Sequence, residues 1–198
     1  EQVVVTGTLK ESYLKNSPVK VEVINDNFIR KISSSNLMEV VENINGLQNQ
    51  IDCGVCGTNS IKINGMEGPY SLVLIDGMPI MSSLSSVYGL NGIPSSIIKQ
   101  IEIVKGPSST LYGSEAVAGV INIITKKPSD LSTLDFNFFI TSHLEKNIDV
   151  LIAPKFKLID LLLSGNFYHM KNFIDYNNDN FNDIPLSNKI SLFNKISV

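Results

Sequence analysis

The sequence predicts a small α/β domain with a short sheet and short helices, followed by a set of antiparallel strands. Before residues 126–128, β-branched runs alternate with short helical patterns and glycine turns. After them, apolar and polar residues alternate, and polar loops separate the alternating runs. The change in pattern therefore places a boundary between two parts of the chain near Lys127.

The first part begins with a strand-like run, EQVVVTGT at residues 1–8, which has no earlier segment to pair with. The chain thus starts directly in a strand, as expected of a processed product. VKVEVI predicts the next strand, and Asn25 or Asp26 is a suitable N-cap for the helix after it. SNLMEVVENINGL predicts the clearest helix, with Ser35 or Asn36 as its cap and Gly46 at its end. Its apolar face comprises Leu37, Val40, Val41 and Ile44.

The rest of the first part predicts strands joined by tight turns. SIKING and SLVLIDGMPI are strands, and Asp76-Gly77 is a strong signal for a two-residue hairpin turn. IPSSIIKQIEIVKG predicts one helical turn and then a strand, and AGVINIITK predicts the last strand. Between them, Gly106 and Gly113 permit tight turns, and Gly119 permits close strand packing. The glycines resemble a phosphate-binding loop, but no Gly-Lys-Ser/Thr follows them.

The second part has one apolar and one polar face on each predicted strand. In LSTLDFNFFITS and LIDLLLSGNFYHM, apolar residues recur at every second position, and KISLFNKISV begins another run. This pattern fits a sandwich, a soluble barrel or a membrane barrel. A short turn near residues 154–157 and a long Asn/Asp-rich loop at 171–188 favour the membrane barrel.

The composition excludes several function classes. The net charge of -3 and pI near 5.4 give no basic footprint for nucleic acid. No apolar run reaches the length of a transmembrane helix. A Ser-His-Asp or His-rich metal site would have to be built almost entirely from His143 and His169, and we find no candidate for one.

Several motifs occur together and in order, namely EQVVVTG, IKING, LVLIDG, IEIVKGP and LYGSEAVAGVINIITKKP. In this combination the chain resembles the N-terminal part of a TonB-dependent outer-membrane receptor. The resemblance implies an α/β plug domain, with a small mixed sheet and short helices, followed by antiparallel strands of an incomplete transmembrane β-barrel. It divides the chain into a Ton-box-like segment (1–8), a plug domain (9–127) and the first strands and loops of a barrel (128–198).

The barrel is expected to be truncated. A lumen wide enough to need a plug has about 22 strands of about 10 residues, or roughly 220 residues before any loop. Residues 128–198 fall far short of that number.

The resemblance also implies the first functional site, a TonB-binding strand. An exposed strand at Glu1, Gln2, Val3, Val4, Val5 and Thr6 would add to a sheet edge of the periplasmic C-terminal domain of TonB. The alternative is an ordinary first strand of the plug.

The CGVC motif carries the second prediction. Cys53 and Cys56 could form a disulfide, which an oxidising periplasm favours. They could instead form a soft-metal site with Met66, Met78 and Met81, contact substrate, or remain free thiols.

Two loops complete the candidate sites. The resemblance implies substrate binding at the plug apices, at the cysteines and at Ser82, Ser83, Ser85, Ser86 and Tyr88; the alternative is a loop without this role. Asp175, Asn177, Asp179 and Asp183 match part of a calcium loop, although Asn180 replaces its glycine and no glutamate closes it. The alternative is a solvated extracellular loop.

Charged plug residues are expected to pair with the barrel wall in this family. Arg30, Glu102, Lys105 and Glu115 are the candidates here, and the alternative is a solvated face.

The resulting hypothesis is a ligand-gated, energy-coupled importer in the outer membrane and not an enzyme, with its plug in the barrel lumen and its N-terminus in the periplasm. The implied partners are TonB, outer-membrane lipid and a small-molecule or metal-chelate substrate, namely an iron chelate, haem, cobalamin or copper. No cofactor is required, although a soft metal or calcium could bind. The alternatives are a metal-binding or thiol-redox module built on CGVC, and a binding-only signalling receptor.

Overall fold

A computed structural model describes residues 2–32, 34–53, 58–80, 90–154, 159–182 and 186–197. The strands of its first part are β1 (Val3–Val4), β2 (Ser12–Tyr13), β3 (Val21–Asn25), β4 (Leu47–Cys53), β5 (Thr58–Ile63), β6 (Ser71–Ile75), β7 (Met78–Pro79), β8 (Ile98–Lys105) and β9 (Gly119–Thr125). Its α-helices are α1 (Asp26–Ile32), α2 (Leu37–Val41) and α3 (Ser109–Tyr112). Short 3₁₀ turns lie at Leu14–Asn16, Gly68–Tyr70, Leu90–Gly92, Ser95–Ile97 and Pro128–Asp130.

A five-stranded sheet in the order β3-β8-β9-β6-β7 forms the centre of the first part. β6 runs parallel to β9, whereas the other neighbouring strands are antiparallel, so the sheet is mixed as predicted. Strands β4 and β5 form a separate antiparallel hairpin. Buried side chains from α1, α2, β4, β5, β8 and β9 share one apolar core, which holds the helices and the hairpin against the sheet.

Side-chain caps begin both predicted helices where the sequence indicates. Asn25 Oδ1 accepts a hydrogen bond from the N–H of Phe28 at α1. At α2, Asn36 Oδ1 accepts from the N–H groups of Met38 (2.9 Å) and Glu39 (3.3 Å). The Glu39 carboxylate in turn accepts from the backbone N–H of Ser35, as in a capping box. The four residues of the predicted apolar face, Leu37, Val40, Val41 and Ile44, are all buried, which confirms the periodicity. The helix itself is shorter than predicted, because α2 ends at Val41 and not near Gly46.

Glycines permit the backbone conformations at two joints of the sheet. The β6–β7 turn has Asp76 at φ 49° and Gly77 at φ 83°, the left-handed pair of a tight hairpin. At the start of β9, Gly119 has φ +149°, and a Cβ atom there would lie 2.3 Å from the carbonyl oxygen of Val104. Only glycine allows β8 and β9 to approach this closely.

The second part is a four-stranded antiparallel sheet, which we call the barrel-type sheet. Its strands in order are β10 (Leu134–Ile140), β11 (Lys146–Ile152), β12 (Asp160–Met170) and β13 (Ser187–Ser197). Sequence reasoning missed β11, although Ile148, Val150 and Ile152 alternate with Asn147 and Asp149. The polar members of this alternation, Asn147 and Asp149, are buried.

One face of this sheet is apolar and exposed, and the other packs on the plug. The exposed apolar side chains are Leu134, Phe136, Phe138, Ile140, Ile152, Ile159, Leu163, Phe167, Ile190, Leu192 and Ile196. The predicted apolar face is thus confirmed on the first and third strands, where Leu161 is half-buried and the other apolar members are exposed. A lipid-facing surface has this character. Within the described ranges, no helix combines the length and apolarity needed to span a bilayer.

Candidate functional site

The Ton-box-like segment (residues 1–8) lies docked against the plug over its described residues. Val3 and Val4 form β1, which pairs antiparallel with β2, so the segment has a pairing strand that lies after it in the chain. The Val4 side chain is fully buried and packs with Val21 and Val104. In this conformation the segment is part of the folded plug.

A single buried carboxylate holds the next two residues of the segment. The backbone N–H groups of Val5 and Thr6 donate to Glu102 Oε2 at 2.9 and 2.8 Å, and the Thr6 hydroxyl donates to the same atom at 2.6 Å. Gln100 Nε2 donates to Oε1 at 2.8 Å and to the carbonyl oxygen of Val3 at 3.0 Å. Glu102 is fully buried, so these hydrogen bonds replace water around its charge.

Two further side chains complete the contact around Thr6, which is 1% exposed. Asn122 on β9 donates to the Thr6 hydroxyl oxygen at 3.1 Å, and the Tyr112 hydroxyl donates to the Thr6 carbonyl oxygen at 2.8 Å. Burial, together with the negative charge of Glu102, raises the pKa of Tyr112. Tyr112 therefore acts here as a neutral hydrogen-bond donor.

The structure corrects one part of the prediction for this segment. The TonB-binding strand was expected to be exposed, but Val4 and Thr6 are buried, because Glu102 and β2 supply partners that the sequence spacing did not reveal. Gln2 and Val3 are exposed, Val5 is half-buried, and Glu1 lies outside the described residues. TonB binding itself stays a prediction.

The contact between the plug and the barrel-type sheet is polar at its centre. Asp149 on β11 is fully buried and accepts hydrogen bonds from one plug residue, Ser96 at 3.0 Å. Its other donors are three asparagines of the barrel-type sheet, Asn137 (3.3 Å), Asn147 (2.8 Å) and Asn166 (2.7 Å). One carboxylate thus joins the plug to three neighbouring strands.

A second polar contact joins the β6–β7 turn to β13. Asp76 accepts from the N–H of Thr125 at 2.8 Å and from the Thr125 hydroxyl at 2.6 Å. Lys195 on β13 donates to both Asp76 Oδ2 and Thr125 Oγ1 at 2.8 Å. The LVLIDG motif therefore carries a side chain that fixes the turn and also contacts the barrel-type sheet.

Ion pairs link α1 to the barrel-type sheet and to the end of β9. Arg30 lies 2.8 Å from Asp26 and 3.6 Å from Asp135 on β10, so Arg30 does reach the barrel side as the resemblance implies. Lys126 lies 3.4 Å from Asp26. Burial lowers the pKa of Lys126, and the charge of Asp26 partly opposes this effect. These groups line a cleft between plug and barrel-type sheet.

The other charged candidates make different contacts. Glu102 holds the Ton-box-like segment and not the barrel wall, and Lys105 pairs with Glu22 on the neighbouring strand β3 of the plug. Glu115 is exposed. Within the described residues, Glu102 and Lys105 therefore contact the plug and not the barrel-type sheet.

Most predicted substrate and metal residues at the plug apices lie outside the described residues. This applies to Cys56, Met81, Ser82, Ser83, Ser85, Ser86 and Tyr88. Cys53 ends β4 opposite Thr58, whereas Met66 follows the other end of β5, where it bridges to Ile63. At about 3.3 Å per residue along β5, Met66 is not brought to Cys53, which corrects its place in the metal set. Met78 is exposed on β7.

The residues predicted to bind calcium make a network of turn hydrogen bonds. Asp175 accepts from the N–H groups of Asp179 (3.2 Å) and Asn180 (2.9 Å), and Asn177 accepts from Asp179 at 3.1 Å. Asp183 lies outside the described residues. In the part of the chain that the structure describes, no three His, Cys, Asp or Glu side chains form a metal-binding group. Calcium binding stays a prediction.

The family model "TonB-dependent Receptor Plug Domain" matches residues 14–120. The vitamin B12 transporter BtuB of Vibrio vulnificus (strain CMCP6) is 34% identical over 125 residues, which cover 63% of this chain and 20% of the transporter. The ferric enterobactin receptor PirA of Pseudomonas aeruginosa is 37% identical over 141 residues, which cover 64% of this chain and 19% of the receptor. The chain thus spans about a fifth of the length of these relatives.

Solved structures show the same fold. The siderophore receptor PirA from Acinetobacter baumannii has a TM-score of 0.59 and 26% identity over 80% of this chain and 26% of that receptor. A mutant of the ferric enterobactin receptor PfeA from Pseudomonas aeruginosa has a TM-score of 0.65 over 90% of this chain and 28% of PfeA; at 24% identity it supports the fold alone. The matched residues 14–120 include β3 to β8, the three α-helices and the start of β9. The chain therefore belongs to the TonB-dependent receptors and contains their plug domain.

Proposed function

We propose that this chain is the plug and first barrel strands of an outer-membrane receptor that imports a small substrate with energy supplied through TonB. The observation that carries the proposal is the plug family match over residues 14–120. The adjoining sheet supports it, because its polar face contacts the plug and its apolar face is exposed. The protein acts as a receptor and not as an enzyme.

The proposed substrate is cobalamin or a ferric siderophore. Two relatives, 34% and 37% identical to this chain over 125 and 141 residues, are named for vitamin B12 and for ferric enterobactin. The substrate binds the plug apices, including residues 82–88, and the outer loops. Haem and copper, which the sequence analysis also names, are the alternatives if neither cobalamin nor ferric enterobactin binds.

The proposed coupling site is the Ton-box-like segment. TonB pairs with residues 1–6 by strand addition, in which the backbone supplies affinity and alternating side chains supply register. The plug lies in the barrel lumen, with the Ton-box-like segment on the periplasmic side. The comparisons give no support to a thiol-redox module, whereas a binding-only receptor is separated from an importer by the experiment below.

The test measures substrate binding and uptake by the full-length receptor in cells that lack their own receptors. Labelled cobalamin and labelled ferric enterobactin are supplied to cells with and without TonB. We expect one of the two to bind, and to accumulate only in cells that contain TonB. A variant that lacks residues 2–6 should bind the same substrate and reach the same membrane level, but should not import it.

Two results would contradict the proposal. Binding without any TonB-dependent uptake would indicate a binding-only receptor. Uptake that persists without residues 2–6 would show that TonB does not act through the Ton-box-like segment.

A further inference from the structure

We infer that Glu102 is a latch that keeps the Ton-box-like segment docked, and that a partner strand pairs with the segment only after the Glu102 contacts break. The identity of that partner rests on the proposed function. The latch itself is inferred from contacts within this chain. It assigns Glu102, Thr6 and Asn122 a regulatory role at the coupling site.

The first argument is the environment of Glu102. Its carboxylate is fully buried, and its described partners are all neutral: two backbone N–H groups, the Thr6 hydroxyl and the Gln100 amide. A buried charge without a counter-ion depends on such donors, because an unsatisfied one is costly. Three of the four hydrogen bonds come from the Ton-box-like segment, so they form and break together as the segment docks and undocks, and each hydrogen bond to a charged group is favourable even after exchange with water. The docked state is therefore favoured, and release is cooperative.

The second argument is that docking and strand addition need the same backbone groups. Strand addition requires free N–H and C=O groups along one edge of the segment. In the docked state, Glu102 takes the N–H groups of Val5 and Thr6, while Gln100 and Tyr112 donate to the carbonyl oxygens of Val3 and Thr6. The backbone of β1 is already paired with β2. A partner strand and the latch thus exclude each other.

The third argument is that the latch is connected to the contact with the barrel-type sheet. The Thr6 hydroxyl donates to Glu102 and accepts from Asn122, which is 1% exposed. Asn122 Oδ1 in turn accepts from the N–H of Gly77 at 3.0 Å, in the turn whose Asp76 contacts Lys195 on β13. A displacement of the β6–β7 turn would disturb Asn122 and, through it, the Thr6 hydroxyl. Asn122 is therefore a positioning residue that ties the latch to this turn.

The test is hydrogen exchange, followed by mass spectrometry, on the full-length receptor without substrate. Thr6→Val removes the hydroxyl but keeps the shape of the side chain, and Glu102→Gln removes the charge. In both variants we expect the peptide covering residues 2–8 to exchange about tenfold faster or more, because hydrogen bonds to a charged group are lost. Peptides covering β8 and β9 should keep their protection. Glu22→Gln, the same change on neighbouring strand β3 away from the segment, should match the wild type.

The latch is refuted if residues 2–8 exchange at the wild-type rate in both variants, or already exchange freely in the wild type. If Glu102→Gln also speeds exchange in β8 and β9, that variant disturbs the whole sheet. The exchange of residues 2–8 in Thr6→Val then tests the latch by itself. The failure of the proposed function looks different. In that case the variants release residues 2–8 as expected, but uptake persists in the receptor that lacks residues 2–6.

Discussion

At Asp149, one buried carboxylate accepts hydrogen bonds from both sides of the contact between plug and barrel-type sheet. Each such hydrogen bond contributes only about 0.5–1.5 kcal/mol net, or somewhat more to a charge, because water can replace the lost partner. An apolar contact of the same extent would expose hydrophobic surface on separation and would resist it more strongly. Polar residues such as Asp149 and Ser96 therefore hold the plug in place but keep the free energy needed to displace it low.

Gly119 gives a prediction at the same scale. Gly119→Ala should destabilise the plug by about 3 kcal/mol or more, because the new Cβ would meet the Val104 carbonyl oxygen and the backbone φ is unfavourable for alanine. Guanidinium unfolding of the full-length receptor, followed by near-ultraviolet circular dichroism, measures the change.

The matched control is Gly65→Ala. Gly65 also has a positive φ, +82°, but no atom lies within 4 Å of the added Cβ. Gly65→Ala should lower the free energy of unfolding by only about 1 kcal/mol, which is the penalty of the backbone conformation alone. Equal losses for the two variants would mean that close packing does not determine the glycine at position 119.

At the scale of elements, α2 is a helix of five residues that depends on its cap and its burial more than on its length. Glu39 accepts from Ser35 N–H and from the Asn36 amide (2.8 Å). Burial is nevertheless the larger effect and raises the pKa of Glu39 above its ordinary value of 4.5. The folded plug thus favours the protonated form of this side chain.

The expected consequence is a pH dependence with a defined sign. The contribution of Glu39 to stability is complete below its unfolded pKa and is lost as the pH rises through its raised folded pKa. Relative to Glu39→Gln, the wild type should therefore become less stable as the pH increases from about 4 to 7.

Unfolding midpoints across this range test the prediction. Glu42→Gln, a change at an exposed position at the end of the same helix, is the control. A wild type that gains stability over Glu39→Gln with rising pH would reverse the sign and contradict the role of burial.

Local elements could be predicted because their signals lie within a few residues. The Asp76-Gly77 turn needs two left-handed residues, and the α2 cap needs Asn36 beside its helix. The docking of the Ton-box-like segment could not be predicted, because Thr6 and Glu102 are 96 positions apart and no periodicity relates them. Strand β11 was missed, although Asn147 and Asp149 alternate with Ile148 and Val150 as polar and apolar residues do in the strands that were predicted.

At the scale of the whole molecule, two sheets meet along a contact that combines buried polar groups with apolar packing of Leu151 and Phe193. The plug carries the Ton-box-like segment and the latch, and the barrel-type sheet presents an apolar outer face. Asp149, Asp76 and Arg30 provide three separate links between them. Movement of the plug against the wall would therefore act on defined side chains, one of which connects to the latch.

The most direct test of the coupling claim is the affinity of the full-length receptor for the periplasmic C-terminal domain of TonB. Isothermal titration calorimetry compares the wild type, with and without bound substrate, and the variant that lacks residues 2–6. We expect tighter binding when substrate is bound, and loss of binding in the variant, because the partner strand pairs with these residues. Binding of equal strength to the wild type and the variant would contradict the account.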